Sequence, residues 1–190
     1  MLGFYYIISM KDKKFIWLDL EMTGLNPEEH HIVEIASIIT DAQFKVIEEG
    51  PNLVIHQPDE VLAGCDHVAK KMHQKSGLWE EIPQSKVSLE EASERTLAFF
   101  KKHLKAKDSP MCGNTISQDR RFLLKYMPEV EAFFHYRHLD VSSFKIIYDT
   151  LYPHSESFAY EKKNNHRAKD DIYESVAELN FYMNYMLIPN

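Results

Sequence analysis

Basic charge is what this chain is short of. Its 22 lysines and arginines face 29 aspartates and glutamates, which leaves a formal net charge of −7 and an isoelectric point near 5.8. A protein that coats long nucleic acid needs a broad basic surface, so that class is excluded. A short nucleic-acid substrate held in a local site is not. Cysteine is scarce too: Cys65 and Cys112 form no framework spacing, and a reducing cytoplasm is the expected home. No apolar run approaches the length of a membrane span. Residues 2–8 are apolar but lack a basic start and a clean cleavage site, so no secretory leader is expected. Met10, followed by KDKK, reads as an alternative start. Internal repeats, linkers and low-complexity tracts are missing as well.

What remains is an ordinary globular chain of 190 residues, 44% apolar and 27% charged. That length and composition give one domain, residues 1–190, with residues 1–9 as an extension outside the core. Deleting that extension is expected to cost little, since the first core strand begins near Phe15.

The chain is organised around residues 15–25, FIWLDLEMTGL. Phe15, Ile16, Trp17, Leu18 and Leu20 read as a strand covered on both faces. Asp19 and Glu21 interrupt it. Two apart in a strand, they point to the same face, roughly 6.6 Å apart at about 3.3 Å per residue. Two carboxylates on one face of a buried strand repel each other and lose solvation, and a divalent cation relieves both. Thr23-Gly24 then reads as a turn at the carboxyl end of the strand, where ligands collect in open α/β sheets. A strand running out into solvent is the plainer alternative.

Residues 32–40, IVEIASIIT, form a second strand. Within it Glu34 reads as outward-facing rather than catalytic. Residues 44–48 and 53–56 read as two further strands separated by the turn Gly50-Pro51-Asn52, which together suggest an antiparallel meander. A mixed helical region follows from Pro58 to about Gln74, closed by Ser76-Gly77. Ser88 and Glu91 make a capping box that opens an amphipathic helix through Leu104, with Leu89, Ala92, Thr96, Phe99, Phe100 and His103 on its inner stripe. Then come a short strand at residues 110–113, a helix over 117–127, a strand over 138–141, a helix to about Leu151, a polar irregular stretch over 153–165, and a last helix over about 168–186.

Two of these helices carry further acids. At about 100° per residue, Asp119 shares a face with Phe122, Leu123 and Tyr126. It is either an acid favoured by the positive start of the helix or a site carboxylate aimed into a cleft. In the last helix Ile172, Val176, Leu179, Met183 and Met186 make the apolar stripe. Asp171 lies at its border and can look into a site, whereas Asp170 faces water. His166 precedes the helix; a histidine in a polar loop is most often a surface residue, and His30, His31 and His154 are read that way.

Taken together, D-x-E on the first strand, an aspartate on a mid-chain helix and H-x4-D near the end resemble the DEDDh 3′→5′ exonuclease family. The blocks WLDLEMTGL, MHQKSGL, NTISQDRRFL, HYRHLDVSS and NHRAKDDIYESVAEL, in that order over nearly the whole chain, resemble its oligoribonuclease branch. The resemblance implies an α/β, RNase H-like mixed β-sheet flanked by α-helices. It implies a hydrolase that splits very short oligoribonucleotides, dinucleotides above all, to 5′-mononucleotides as the last step of RNA decay. By motif position Asp19, Glu21, Asp119 and Asp171 would hold two Mg²⁺ or Mn²⁺ ions, and His166 would be the general base. Leu25 would wedge against the substrate bases; His73, Tyr136 and Arg137 would enclose the end phosphate, and Thr115 would offer it a hydroxyl. Tyr136 and Arg137 would come from the partner chain of a homodimer. The chain departs from the pattern at Thr115, where the family has serine, and at Ser117, where it has glycine; residues 1–9 have no counterpart. Two rivals stand beside this reading. One is a related exonuclease acting on longer 3′ ends, which the acidity of the chain disfavours. The other is a non-catalytic binding module on the same fold.

Overall fold

The computed structural model describes residues 13–152, 160 and 166–186. Five strands form one mixed sheet in the order β3-β2-β1-β4-β5. Its antiparallel half is β1 (Phe15–Met22), β2 (Ile32–Thr40) and β3 (Val46–Val54). Its parallel half continues from β1 to β4 (Met111–Gly113) and β5 (His138–Asp140). The strand with the two acids is therefore the central one, at the junction between the two halves.

Alternation in β1 divides the core. Ile16, Leu18 and Leu20 face one way, onto α4 (Leu89–His103), α5 (Ser117–Tyr126) and α6 (Pro128–Phe133), where Phe100, Phe122 and Phe134 fill the layer. Trp17 faces the other way, onto α7 (Val141–Leu151) and α8 (Ala168–Met186), against Val141, Ile172 and Leu179. Asp19 and Glu21 share that second face, so α8 lies directly over them. Three short helices, α1 (Asp59–Ala63), α2 (His67–Ser76) and α3 (Leu78–Glu81), close the end of the sheet beside the carboxyl end of β1.

Ser88 caps α4 as expected, its hydroxyl accepting from the Glu91 N–H at 3.1 Å, while the Glu91 carboxylate accepts from Arg95 at 3.1 Å. Three expectations are corrected. Residues 46–54 are one strand, not two. Gly50-Pro51-Asn52 is not a turn but the site of a register shift against Ala36 and Ile38, where β3 carries one extra residue. A Cβ on Gly50 would lie 2.4 Å from the Phe99 ring, and Pro51 is tolerated because β3 is a sheet edge. Glu34 does not face outward: β2 is buried along its whole length and Glu34 is fully enclosed. Finally, α6 was not foreseen. Residues 1–9 and most of the polar stretch lie outside the described residues. Among those described, both cysteines are free, and no helix is long and apolar enough to cross a membrane.

Candidate active site

The turn after β1 is locked in place. Thr23 donates its N–H to the His31 carbonyl at 2.9 Å and accepts the His31 N–H on its hydroxyl at 3.0 Å. Gly24 lies so close to the His30 ring that an added Cβ would meet Nε2 at 2.5 Å. The Tyr126 hydroxyl is within hydrogen-bond distance of the carbonyls of Pro27 and His30, at 2.9 and 2.7 Å. Gln118 donates to the Leu25 carbonyl. This bracing leaves the Leu25 side chain 72% exposed, presented from a rigid loop rather than packed away.

Asp66 brings α2 to the same place. Its N–H binds the Thr23 carbonyl at 2.8 Å, and its carboxylate caps α2 by accepting from Val68 and Ala69. The helix then sets His73 behind the turn. That ring is buried; its Nε2 bonds the Met22 carbonyl at 2.9 Å, and its Nδ1 faces Glu21 Oε2 at 3.7 Å. Burial lowers the pKa of His73.

Around these elements a cavity of about 340 Å³ is lined by Asp19, Glu21, Asp119 and Asp171 together with Leu25, Met72, His73, Thr115 and Gln118. A second cavity of about 250 Å³ adjoins it, sharing Asp19, Asn114, Thr115 and Asp171 and adding His166, Glu174 and Ser175. All five residues of the acid-and-histidine set thus border these two cavities, which have Asp19 and Asp171 in common. Carboxylate oxygens of Asp19, Glu21 and Asp171 lie within 4.8 Å of one another. Asp119 enters from the opposite helical layer, and its Oδ1 accepts the Leu20 N–H at 2.9 Å. It lies in the first turn of α5 and is at the same time a buried carboxylate lining the cavity.

Electrostatics follow from crowding and burial. Burial, then the charges of Asp119, Glu21 and Asp171, hold the Asp19 carboxyl well above the usual range. Burial, then Asp171, push Glu21 up to about 8. Burial pushes Asp119 up to about 7, against the lowering effect of the Leu20 N–H. An all-oxygen donor set under such mutual repulsion fits a hard divalent cation.

Two backbone features mark the second cavity. Thr115 and His166 have φ of +54° and +52°, a region costly for residues with a side chain, β-branched ones most of all. Thr115 is held there by its N–H bond to Asp140 Oδ1 at 2.9 Å, on the carboxylate that also caps α7. Ser117 is not in this region and simply begins α5, so the missing glycine costs nothing there. Tyr136 and Arg137 do not line either cavity of their own chain. Tyr136 is 72% exposed, with the Arg137 guanidinium 5.5 Å from its ring centre. Arg120, paired with Glu131, braces that loop through the carbonyls of His135 and Tyr136, both at 3.1 Å.

Sequence reasoning missed Asn114, Gln118, Glu174 and Ser175 as cavity residues, and it missed Glu34. The signal for Glu34 was present: Ile32 and Ile38 on its own face and Val33, Ile35 and Ile39 on the other leave the strand no polar face to turn to solvent.

Comparison with known proteins agrees with this geometry. The RNase_T exonuclease family model matches residues 16–179. The oligoribonuclease of Vibrio cholerae is 49% identical over 175 residues, covering 92% of this chain and 96% of that one. That of Photobacterium profundum is 48% identical over 179 residues, covering 94% and 98%; that of Bordetella pertussis is 45% identical over 180 residues, covering 95% and 99%. Among solved structures, an E. coli exonuclease I–single-stranded DNA complex superposes with a TM-score of 0.70 at 17% identity, over 92% of this chain. This chain spans only 41% of that exonuclease, and the likeness concerns the fold: an RNase H-like mixed sheet flanked by helices.

Proposed function

We propose, for a chain that belongs to the RNase_T exonuclease family and is a 3′→5′ exoribonuclease of its oligoribonuclease branch, that Asp19, Glu21, Asp119 and Asp171 hold two divalent cations and that His166 is the general base. The observation that carries this is the convergence of three carboxylates to within 4.8 Å, with a fourth lining the same cavity. Their repulsion and burial are relieved by protonation or by a bound cation, and only the cation leaves them ionised. Oxygen-only donors suit Mg²⁺ or Mn²⁺. Bound in this way, such ions supply an activated water and charge stabilisation at the leaving oxygen.

The other residues bind and orient. His166, bordering the cavity beside Asp19 and Asp171, takes the proton of the attacking water, the general-base role that imidazole most often fills. Leu25 wedges against the substrate bases from its braced loop. Thr115 offers a hydroxyl to the phosphate, and His73 forms the wall behind Glu21. The substrates are very short oligoribonucleotides and the products 5′-mononucleotides, released in the cytoplasm. Two adjoining cavities of small-ligand size and a net charge of −7 favour a few local contacts over a long electrostatic track.

A homodimer completes the site. Tyr136 and Arg137 stand exposed outside the cavities of their own chain, and α7 presents Ile146, Ile147 and Leu151 to solvent. A second copy packed on such a surface would deliver an arginine fork suited to a terminal phosphate. The experiment is Mn²⁺-dependent release of 5′-mononucleotides from short RNA by wild type, Asp19→Asn and Asp171→Asn. Both variants should fold and lose turnover; near-wild-type turnover by either at saturating Mn²⁺ overturns the assignment.

A further inference from the structure

Glu34 is a fully buried carboxylate in a strand that the reaction does not use. It is the cross-strand partner of Glu21, so the two side chains stand on the same face of the sheet. An unpaired charge there would be costly. It is paired with Arg167: Glu34 Oε1 accepts from Nη2 at 2.9 Å and from Nε at 3.2 Å. Glu34 Oε2 also accepts the Ala168 N–H, the first of α8, at 3.1 Å. The outer edge of the same guanidinium binds Glu81 of α3 in two places, Nη1 at 2.8 Å and Nη2 at 2.9 Å. One arginine fork therefore joins the inside of the sheet, the end of α3 and the start of α8.

The residue immediately before Arg167 is His166, in left-handed backbone at φ +52°. Such a conformation persists only where the surroundings over-determine it. The clamp fixes the side chain of Arg167 and the next peptide N–H, and so the direction from which His166 enters its cavity. Asp171 hangs on the same segment, its N–H bonding the Arg167 carbonyl at 3.0 Å, but it is also held one turn into α8 by Ile172 and Leu179, which are buried in the core.

We propose that Glu34, Arg167 and Glu81 are positioning residues that hold His166 in register with the carboxylates of β1, leaving metal binding to the acids themselves. This rests on His166 being the general base. A base displaced by about 1 Å can cost on the order of 100-fold.

The test compares Arg167→Met, Arg167→Lys, Glu81→Gln and His166→Ala on a ribodinucleotide, with kcat, KM and Mn²⁺ affinity measured for each and folding checked by thermal melting. Arg167→Met should lose roughly 10- to 100-fold in kcat, and because it leaves Glu34 unpaired beside Glu21 its Mn²⁺ affinity should fall too; Arg167→Lys should recover part of the loss, and Glu81→Gln should lower kcat with KM and Mn²⁺ affinity nearly unchanged. In Glu81→Gln a purely structural role would weaken Mn²⁺ binding and KM as well. Full kcat in folded Arg167→Met alongside a dead His166→Ala overturns the clamp alone; an active His166→Ala overturns the assignment of the base and the clamp with it. Should Arg167→Met fail to fold, Glu81→Gln decides, because it removes only the half-exposed outer contact: lowered kcat with unchanged Mn²⁺ affinity supports the clamp, and unchanged kcat overturns it.

Discussion

Chelating all divalent metal should make the stability of this protein fall as pH rises from about 7 to 8.5, and adding Mn²⁺ should reverse the fall. Glu21 is raised from 4.5 to about 8, first by burial and then by the charges around it. Asp19 and Asp119 are raised as well. An acid whose folded pKa lies above its unfolded value holds a proton in the folded state that the unfolded chain has released. Its stability is complete below the unfolded pKa and is lost as pH climbs through the folded one. For Glu21 and Asp119 together that loss is roughly 1 to 2 kcal/mol between about pH 7 and 8.5. In a chain of this size it lowers Tm by roughly 3–6 °C. Histidines with lowered pKa act with the opposite sign. His31, His73, His103 and His138 are depressed by burial, so they cost stability only as pH falls below their ordinary value of about 6.5, outside the window. Mn²⁺ at about 100 times its Kd adds roughly 2.7 kcal/mol, and adds less near pH 5.5, where it must displace protons. The assay is differential scanning fluorimetry of chelated and Mn²⁺-loaded protein across pH. A flat or rising chelated Tm from about pH 7 to 8.5, or a Mn²⁺ shift as large at pH 5.5 as at 8, refutes the reasoning.

Asp170 is exposed on α8 and lines neither cavity, so Asp170→Asn should keep turnover within a few-fold of wild type; a loss equal to that of Asp171→Asn would contradict the placement of the helix. His166→Ala should cut kcat by roughly 100- to 10,000-fold while Mn²⁺ still binds, measured by single-turnover kinetics and calorimetry. Arg137→Ala should abolish the preference for dinucleotides rather than slow every substrate alike. Mixed dimers of Arg137→Ala with Asp19→Asn chains should regain one working site, and no recovery in a verified mixed dimer would contradict the shared site.

Much of the site could be read from sequence because its residues violate their local setting. Asp19 and Glu21 stand out in a buried strand, and Asp119 stands out on an apolar helix face. The bounds of β2, read from its β-branched content, and of α8, read from its apolar spacing, match the structure. Where a residue obeys a local rule for a non-local reason, the sequence misleads. Gly50-Pro51-Asn52 has turn composition, yet the edge position of β3 and the approach of Phe99 make it a bulge. Glu34 looks like a solvated acid because its partner, Arg167, lies 133 positions away. Asn114, similarly, is held by Glu178 Oε2 at 2.6 Å from far along the chain, which no local spacing announces.

The central claim is that a metal-holding carboxylate cluster works on very short RNA. The most direct measurement compares Mn²⁺-dependent kcat/KM on a 5′-labelled ribodinucleotide with that on a ribo-twenty-mer of the same 3′ end. The account predicts efficient conversion of the dinucleotide to 5′-mononucleotides and a steep loss of efficiency with length. Equal efficiency on the two substrates, or cleavage that persists after chelation, would contradict it.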